Sequence, residues 1–565
     1  MQADSFSSKK AAAILCIVGI IVWANMLGNS FVWDDEEMVV NNSGIFHFGN
    51  IPNLFSSATF NSGGSALGGW FYRPLVMLTF LLIHTVFGLW TPAYHLIQLC
   101  FHLTASALLF LVLSTTFGKI DSKRDRLVAL VLSLIFLVHP AHTDSVGYIS
   151  SIGEPLYTLF VLSAFWLILK RQFTRKTLIL IGVLFTLGLL TKEGAVILLP
   201  LGILWSWPFQ KTRELFRVAV SLISGLSVYL FIRLSFFGIQ LERPDFIAPI
   251  SDASLSERTL TGVANFFTFL KVFASPKTLA IANHEVIKSP TDYRFIVGGV
   301  LLILFLGAAL FLFLKKQKLV LFFLVWFLLS YIPVSNILFP LDMSFADRWL
   351  YFPMIGLLGL IGCMVLKLKN QHLITTCYLL LVVVGLLSIR TIIRNRDWKN
   401  GLTLYSHDGK INDNFDLNNN LGVELFRNGD IQNSKTHFEK SITQKDDWNI
   451  PHNNLGAIYE REGNLEGAKR EYERSVELGD YYLSFENLSN LYVKTKDPKA
   501  LEFIKFAFGK FPNSPGINRS AAIAYYLIGD QTQALYYARR LTALQPAQEN
   551  IRLYNIIFNK QQLDF

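Results

Sequence analysis

The chain has 565 residues, is 52% hydrophobic and 14% aromatic, and is charged at only 16% of its positions, with a mean hydropathy of +0.39. A soluble chain of this length carries more charge, so an ordinary water-soluble enzyme is excluded. The net charge of +10 does not argue for nucleic acid, because Lys and Arg gather in short loops between apolar runs, the pattern that sets membrane topology.

Lys9-Lys10 precede an apolar run, Ala11 to Met26, with no clear A-x-A cleavage site after it, which predicts a retained first span with a cytoplasmic N-terminus. Four consecutive carboxylates, Asp34 to Glu37, follow at once, and no Lys or Arg offsets them before Arg73. Acids held against helices at that depth are costly and are usually kept for a function. The next apolar run, Phe71 to Gly88, could cross, but charge argues otherwise. Placing the second span at 93–117 instead puts five basic loops on the cytoplasmic side: 119–126, 170–176, 211–217, 315–318 and 367–369. The run 71–88 is therefore expected to lie in, or dip into, the outer surface.

About eleven spans result, near 11–28, 93–117, 127–139, 155–170, 177–191, 194–207, 217–237, 294–314, 319–338, 348–366 and 373–392. Several fall short of the roughly 20 residues of a straight crossing. The outer side receives segments 30–70, 139–154, 191–193, 238–291 and 339–348, and everything after Arg394. Cys16, Cys100, Cys363 and Cys377 all lie inside apolar runs, which leaves no disulfide framework and no CxxC metal site.

After Asp397 the chain changes character. Leu421-Gly422, Gly429, Phe438 and Ser441 recur 34 residues on as Leu455-Gly456, Gly463, Tyr472 and Ser475. That period, with small residues where paired helices cross, is the tetratricopeptide signature. About four units fit within 397–565, and Trp398–Asn412 offers a leading helix. Such stacks present a concave face to an extended peptide or protein; assembly or docking alone is the plainer use.

Several polar residues collect at outer span ends: Arg73, His139, His142, Asp144, Glu154, Lys192, Glu193 and Arg348. Each by itself reads as a span end or a snorkelling side chain. His139 and His142 are weak evidence for a metal and read better as a Pro-stabilised turn; the metal requirement stays open. His84, His95 and His102 read as intramembrane hydrogen-bonding groups. Together the set suggests more. A carboxylate from Asp34 or Asp35 can take a proton from a hydroxyl nucleophile, and Arg73, Lys192 and Arg348 can stabilise a phosphate leaving group.

Trp33-Asp34-Asp35 with Asn41-Asn42, Tyr72-Arg73-Pro74-Leu75, Tyr94-His95-Leu96, His139-Pro140-x-His142-Thr143-Asp144, Thr191-Lys192-Glu193 and Asp347-Arg348-Trp349-Leu350-Tyr351-Phe352-Pro353 resemble, in that order, the transmembrane-and-TPR O-mannosyltransferases. The resemblance covers essentially the whole chain. It implies an all-α fold, a polytopic GT-C glycosyltransferase bundle over 1–396 followed by a TPR α-solenoid over 397–565. It also implies a polyprenyl-phosphate sugar donor used on the periplasmic or lumenal face, inversion at the anomeric carbon, and a base within Asp34-Asp35. The family commonly has Glu where Asp144 stands, and its Gly-Arg-x-Asp is matched here only by Ser151-Ile152-Gly153-Glu154.

The reading is a multi-pass enzyme, of a bacterial inner membrane or of the endoplasmic reticulum if eukaryotic, moving a hexose such as mannose to a protein hydroxyl. Asp34 or Asp35 acts as base, Arg73, Lys192 and Arg348 hold donor phosphate, and His139, His142, Asp144, Glu154 and Glu193 orient substrate or cations. The repeats, outside the cytoplasm, recruit the acceptor protein or peptide, and no nucleic acid is involved. The rival readings are transfer to a glycan or lipid, and a non-catalytic scaffold whose repeats recruit partners.

Overall fold

A computed structural model describes residues 8–42, 46–59, 71–118, 123–209, 212–237 and 248–563. The chain is all-α; among the described residues the one β pairing is an isolated bridge between Asn283 and Phe345. It divides into two compact units, the first running to Asn412 and the second from Asp413 onward.

Six helices in the first unit are long and apolar enough to cross a membrane: Ser8–Gly28, Thr91–Phe117, Ile149–Lys170, Thr212–Phe236, Tyr293–Leu314 and Asn370–Asp397. Lys123–Val138 makes a seventh if counted with Pro140–Val146, from which it is bent by 47°. The chain is a multi-pass membrane protein. The other four expected spans are also helical but short: Arg175–Thr191, Leu198–Phe209, Lys318–Tyr331 and Pro353–Val365. Pro74–Phe87, with 14 residues, is about 21 Å long against a hydrocarbon core of roughly 30 Å. Length does not separate it from the short spans, so the count of eleven crossings rests on the charge pattern alone.

Close crossings depend on small residues, as expected where lipid gives helices no hydrophobic reason to associate. A Cβ on Gly225 would come within 2.6 Å of the Gly182 carbonyl oxygen. At that crossing Thr186 donates to the Gly225 carbonyl at 2.9 Å and Ser221 to the Leu178 carbonyl at 2.6 Å. Deeper in the bundle Phe165, Trp205, Phe322 and Trp326 meet mostly edge to face.

One helix escaped the sequence pattern. Leu255–Ala274 lies in the segment taken as an outer loop; it opens on a Ser254/Glu257 capping box and packs along Tyr293–Leu314. Its Phe266 meets Phe305, Phe327 and Tyr331 edge-on or tilted.

Two of the basic segments meet in space. Arg124 ties two basic segments together, donating to the Leu366 carbonyl, to the Leu368 carbonyl at 2.7 Å and to Asn370 Oδ1 at 3.2 Å.

The first unit extends past Arg396. Trp398–Asn412, the suggested leading helix of the repeats, forms helix Gly401–Asp408 and belongs to the first unit. A buried ion pair anchors it: Arg394 donates to both Asp408 oxygens at 2.6 and 2.7 Å, and Asp408 also accepts from Ile281 N.

The second unit holds four helix pairs, Phe415–Arg427 with Ile431–Gln444, Asn449–Arg461 with Leu465–Leu478, Tyr482–Lys494 with Ala500–Lys510, and Pro515–Leu527 with Gln531–Leu544, then a closing helix Gln548–Phe558. The turns of three pairs use Gly429, Gly463 and Gly529 at φ near +80°, each followed by an Asp or Asn that caps the next helix. Glycine reaches that region without a Cβ clash. In the third pair Lys496 takes it instead, at φ 53°. A Cβ on Gly422 or Gly456 would meet the Phe438 or Tyr472 ring at 2.6 Å, which is why the recurrent small residue stands there.

Candidate functional site

The acidic loop is not a solvated run. Trp33 sits at φ 56°, and a bulky residue is held there only when its surroundings over-determine it. Its N–H donates to the Tyr405 hydroxyl at 3.0 Å and its ring stacks on Tyr148, with centroids 5.4 Å apart. The turn sends the two acids to different places. Asp35 is fully buried and accepts from Val32 N at 3.1 Å, Ser150 N at 2.7 Å and Ser150 Oγ at 2.5 Å. Burial raises its carboxyl to about 7, and those donors oppose the rise only in part. Asp34 is partly exposed and accepts from the Tyr148 hydroxyl at 2.6 Å.

The loop 139–152 is almost wholly buried, and its backbone polar groups need partners. Gln98, on the long helix Thr91–Phe117, supplies two, donating to the Ser145 and Tyr148 carbonyls at 2.8 and 2.7 Å. Of the three histidines expected to bond within the bundle, two are seen to. His95 meets the Asn29 carbonyl, and His102 meets the Leu137 carbonyl and the Tyr351 hydroxyl.

Each predicted cation carries one predicted acid. Arg348 donates to Asp144 at 3.3 Å, and its backbone N–H adds a bond at 3.0 Å. Lys192 pairs with Glu154. Arg73 meets Glu193 through Nε and Nη2 at 3.2 and 3.1 Å and lies over the Phe71 ring. Asp144 and Glu154 are buried, whereas Glu193 is 38% exposed. Burial pulls the Lys192 ammonium below its ordinary range; Glu154 opposes this, and the positive charges of Arg73 and Arg348 add to it. Lys192 is thus within electrostatic reach of each of the other two cations. Glu193 is held below the usual carboxylate range by Arg73 and Lys192 against the opposing effect of burial.

The acid joins the same cluster. The Arg348 guanidinium carbon lies 5.6 Å from the Trp33 ring centroid and 5.9 Å from that of Tyr148, beside the Asp34 bond. Asp34 and Arg348, more than 300 positions apart, thus share Tyr148 as a neighbour, and Lys192 feels the charges of both Arg348 and Arg73. The two histidines do not join them. His139 stacks on Phe273 and its Nε2 meets the Phe273 carbonyl at 3.1 Å, while its Nδ1 accepts from Ala141 N, closing the turn. His142 packs among Phe136, His102 and Tyr351. Among the described residues no three His, Cys, Asp or Glu side chains are placed to hold a metal ion.

Tyr148, Ser150, Trp398 and Tyr405 were not singled out from sequence. Of the supporting groups that the sequence reading missed, Gln98 alone carried a signal, as an amide inside an apolar run.

The tetratricopeptide repeat family model matches residues 451–478. Protein O-mannosyl-transferase F38B6.6 of Caenorhabditis elegans is 26% identical, over 76% of this chain and 62% of its own length. Protein O-mannosyl-transferase TMTC3 of Homo sapiens is 25% identical, over 77% of this chain and 52% of its own. The chain thus spans between half and two thirds of the length of these relatives. The crystal structure of ArnT from Cupriavidus metallidurans bound to undecaprenyl phosphate shows a partial likeness, with 13% identity, 93% of this chain and 79% of that one covered, and a TM-score of 0.40.

Proposed function

We propose that this chain, similar in sequence to protein O-mannosyl-transferases, is a GT-C glycosyltransferase that moves a sugar, mannose or another hexose, from polyprenyl phosphate to a protein hydroxyl. The observation that carries the reading is a partly exposed carboxylate, Asp34, bonded to Tyr148 with the Arg348 guanidinium beside that ring; Lys192 and Arg73 are assigned with them because Lys192 feels the charges of Arg73 and Arg348. Asp34, rather than Asp35, is the base. A base must reach the acceptor hydroxyl, and Asp35 is buried and bonded to the backbone and side chain of its own support.

In the step, the acceptor oxygen attacks the anomeric carbon from the face opposite the phosphate and its proton passes to Asp34. The bond from the anomeric carbon to the phosphate oxygen breaks, with inversion. The donor diester carries one negative charge and the departing polyprenyl monophosphate two. Arg73, Lys192 and Arg348 meet the charge that develops, and only such differential stabilisation accelerates the reaction. Asp144, Glu154 and Glu193 act through those cations by fixing their direction. The site opens on the periplasmic or lumenal side, away from the basic loops, and the repeats hold the acceptor near it, adding local concentration rather than chemistry.

Purified protein given labelled polyprenyl-phosphate sugars and a periplasmic extract tests this. Label should pass from mannosyl or another hexosyl polyprenyl phosphate to protein. Label that passes only to glycan or lipid, or stays on the donor, would reject the protein acceptor or the enzyme reading respectively.

A further inference from the structure

We propose that Tyr148 is the positioning residue of the general base: its phenol aims the Asp34 carboxylate, and an aromatic stack with Trp33 and Trp398 fixes the phenol. This rests on the reading of Asp34 as the base.

The hydroxyl donates to Asp34 Oδ2 at 2.6 Å, the length of a charge-assisted bond. Burial first, then the neighbouring Asp34 and Asp35 charges, raise the phenol well above its ordinary range, so it stays a donor at every working pH. The ring stacks on Trp33 at 5.4 Å and on Trp398 at 5.7 Å, with interplanar angles of 21° and 28°. Its carbonyl is pinned from within the bundle by Gln98. Two residues on, Ser150 holds Asp35, so one short stretch grips the two neighbouring acids, Tyr148 the partly exposed one and Ser150 the buried one.

A carboxylate on a short side chain beside a strained Trp33 has rotamer freedom that would spoil a proton transfer needing hydrogen-bond geometry. The phenol removes that freedom. Trp398 belongs to the segment after the last long helix, so the base is aimed in part by residues beyond the helices that carry the cations.

The test reads Asp34 directly. In the full-length protein in detergent, the infrared carboxylate band lost in Asp34→Asn is followed through a pH titration in wild type and in Tyr148→Phe. Losing a donor to the charged form should raise its midpoint by about one pH unit. Turnover of mannosyl undecaprenyl phosphate should show kcat down about 10-fold or more with donor KM unchanged, and the acid limb displaced to higher pH. Trp398→Phe, which loosens the stack but keeps the phenol, should lower kcat less and in the same direction. An unmoved midpoint in folded Tyr148→Phe overturns the positioning role. Should that variant fail to fold, full kcat in Trp398→Phe overturns the stack. A midpoint that moves in a protein whose Asp34→Asn variant retains full turnover leaves the contact standing but rejects Asp34 as base.

Discussion

The site and the repeats are both built from helices, yet they are assembled on opposite principles. Arg348 and Asp144 stand 204 positions apart, and Tyr148 and Asp34 stand 114 apart. In the repeats the contacts are near neighbours in the chain: Ser434 closes on the Gly422 carbonyl 12 residues away, and Asn487 on Asn453 34 away. Damage to a repeat should therefore stay with that repeat and those beside it, whereas damage to the site should reach loops that share no local sequence.

The sharpest break in this comparison is Asp34→Asn. It should lower kcat about 10²–10⁴-fold with donor binding kept and the thermal transition little changed; near wild-type turnover would move the base elsewhere. Arg348→Ala comes next and strikes both chemistry and fold, because it leaves the buried Asp144 carboxylate with the backbone N–H but without its cation. Breaking such a pair costs about 3–5 kcal/mol, so the denaturation midpoint should drop sharply. The half-exposed pair gives the cleaner reading of donor use. Arg73→Ala should raise donor KM more than Arg73→Lys, since Lys meets phosphate only as a point charge; equal KM values would remove Arg73 from the site.

Within the repeats, Gly456→Val drives a branched side chain into the Tyr472 ring and should cost about 1–3 kcal/mol. Hydrogen exchange should show the loss in its own pair and those adjoining, and donor turnover should be unchanged. The last effect is a pH dependence. Asp35 in the folded chain binds its proton up to about pH 7, whereas the unfolded chain releases it near 3.8. Folding then takes up a proton between those values, so stability falls as pH rises from about 4 to 7 and levels above that. Asp35→Asn, which cannot titrate, should flatten this part of the stability curve.

What could be read from the sequence follows from the same contrast. The repeats were legible because a 34-residue period prints each contact several times over, and Gly422 with Gly456 marks the helix crossing directly. Most of the charged site residues were legible one by one, since a Lys or an Asp at the end of an apolar run needs a reason. Their pairing was not: nothing in Thr191-Lys192-Glu193 says that Lys192 goes to Glu154 while Glu193 goes to Arg73. Tyr148 was hidden because a tyrosine at the edge of an apolar run is unremarkable until its neighbour in space is a carboxylate. Helix Leu255–Ala274 was hidden by Glu257, Arg258 and Lys271, which broke up its apolar run although they lie near its two ends.

The place where the first unit ends has a practical meaning for anyone who recombines such chains. Tyr405 bonds the Trp33 amide, Trp398 stacks on Tyr148, and Asp408 locks Arg394. A cut at Arg396, where the hydrophobic pattern stops, would carry these three residues away with the repeats. The exchangeable cassette starts at Asp413, and under the proposed function a chimera joined there would keep its own base while taking on another chain's acceptor.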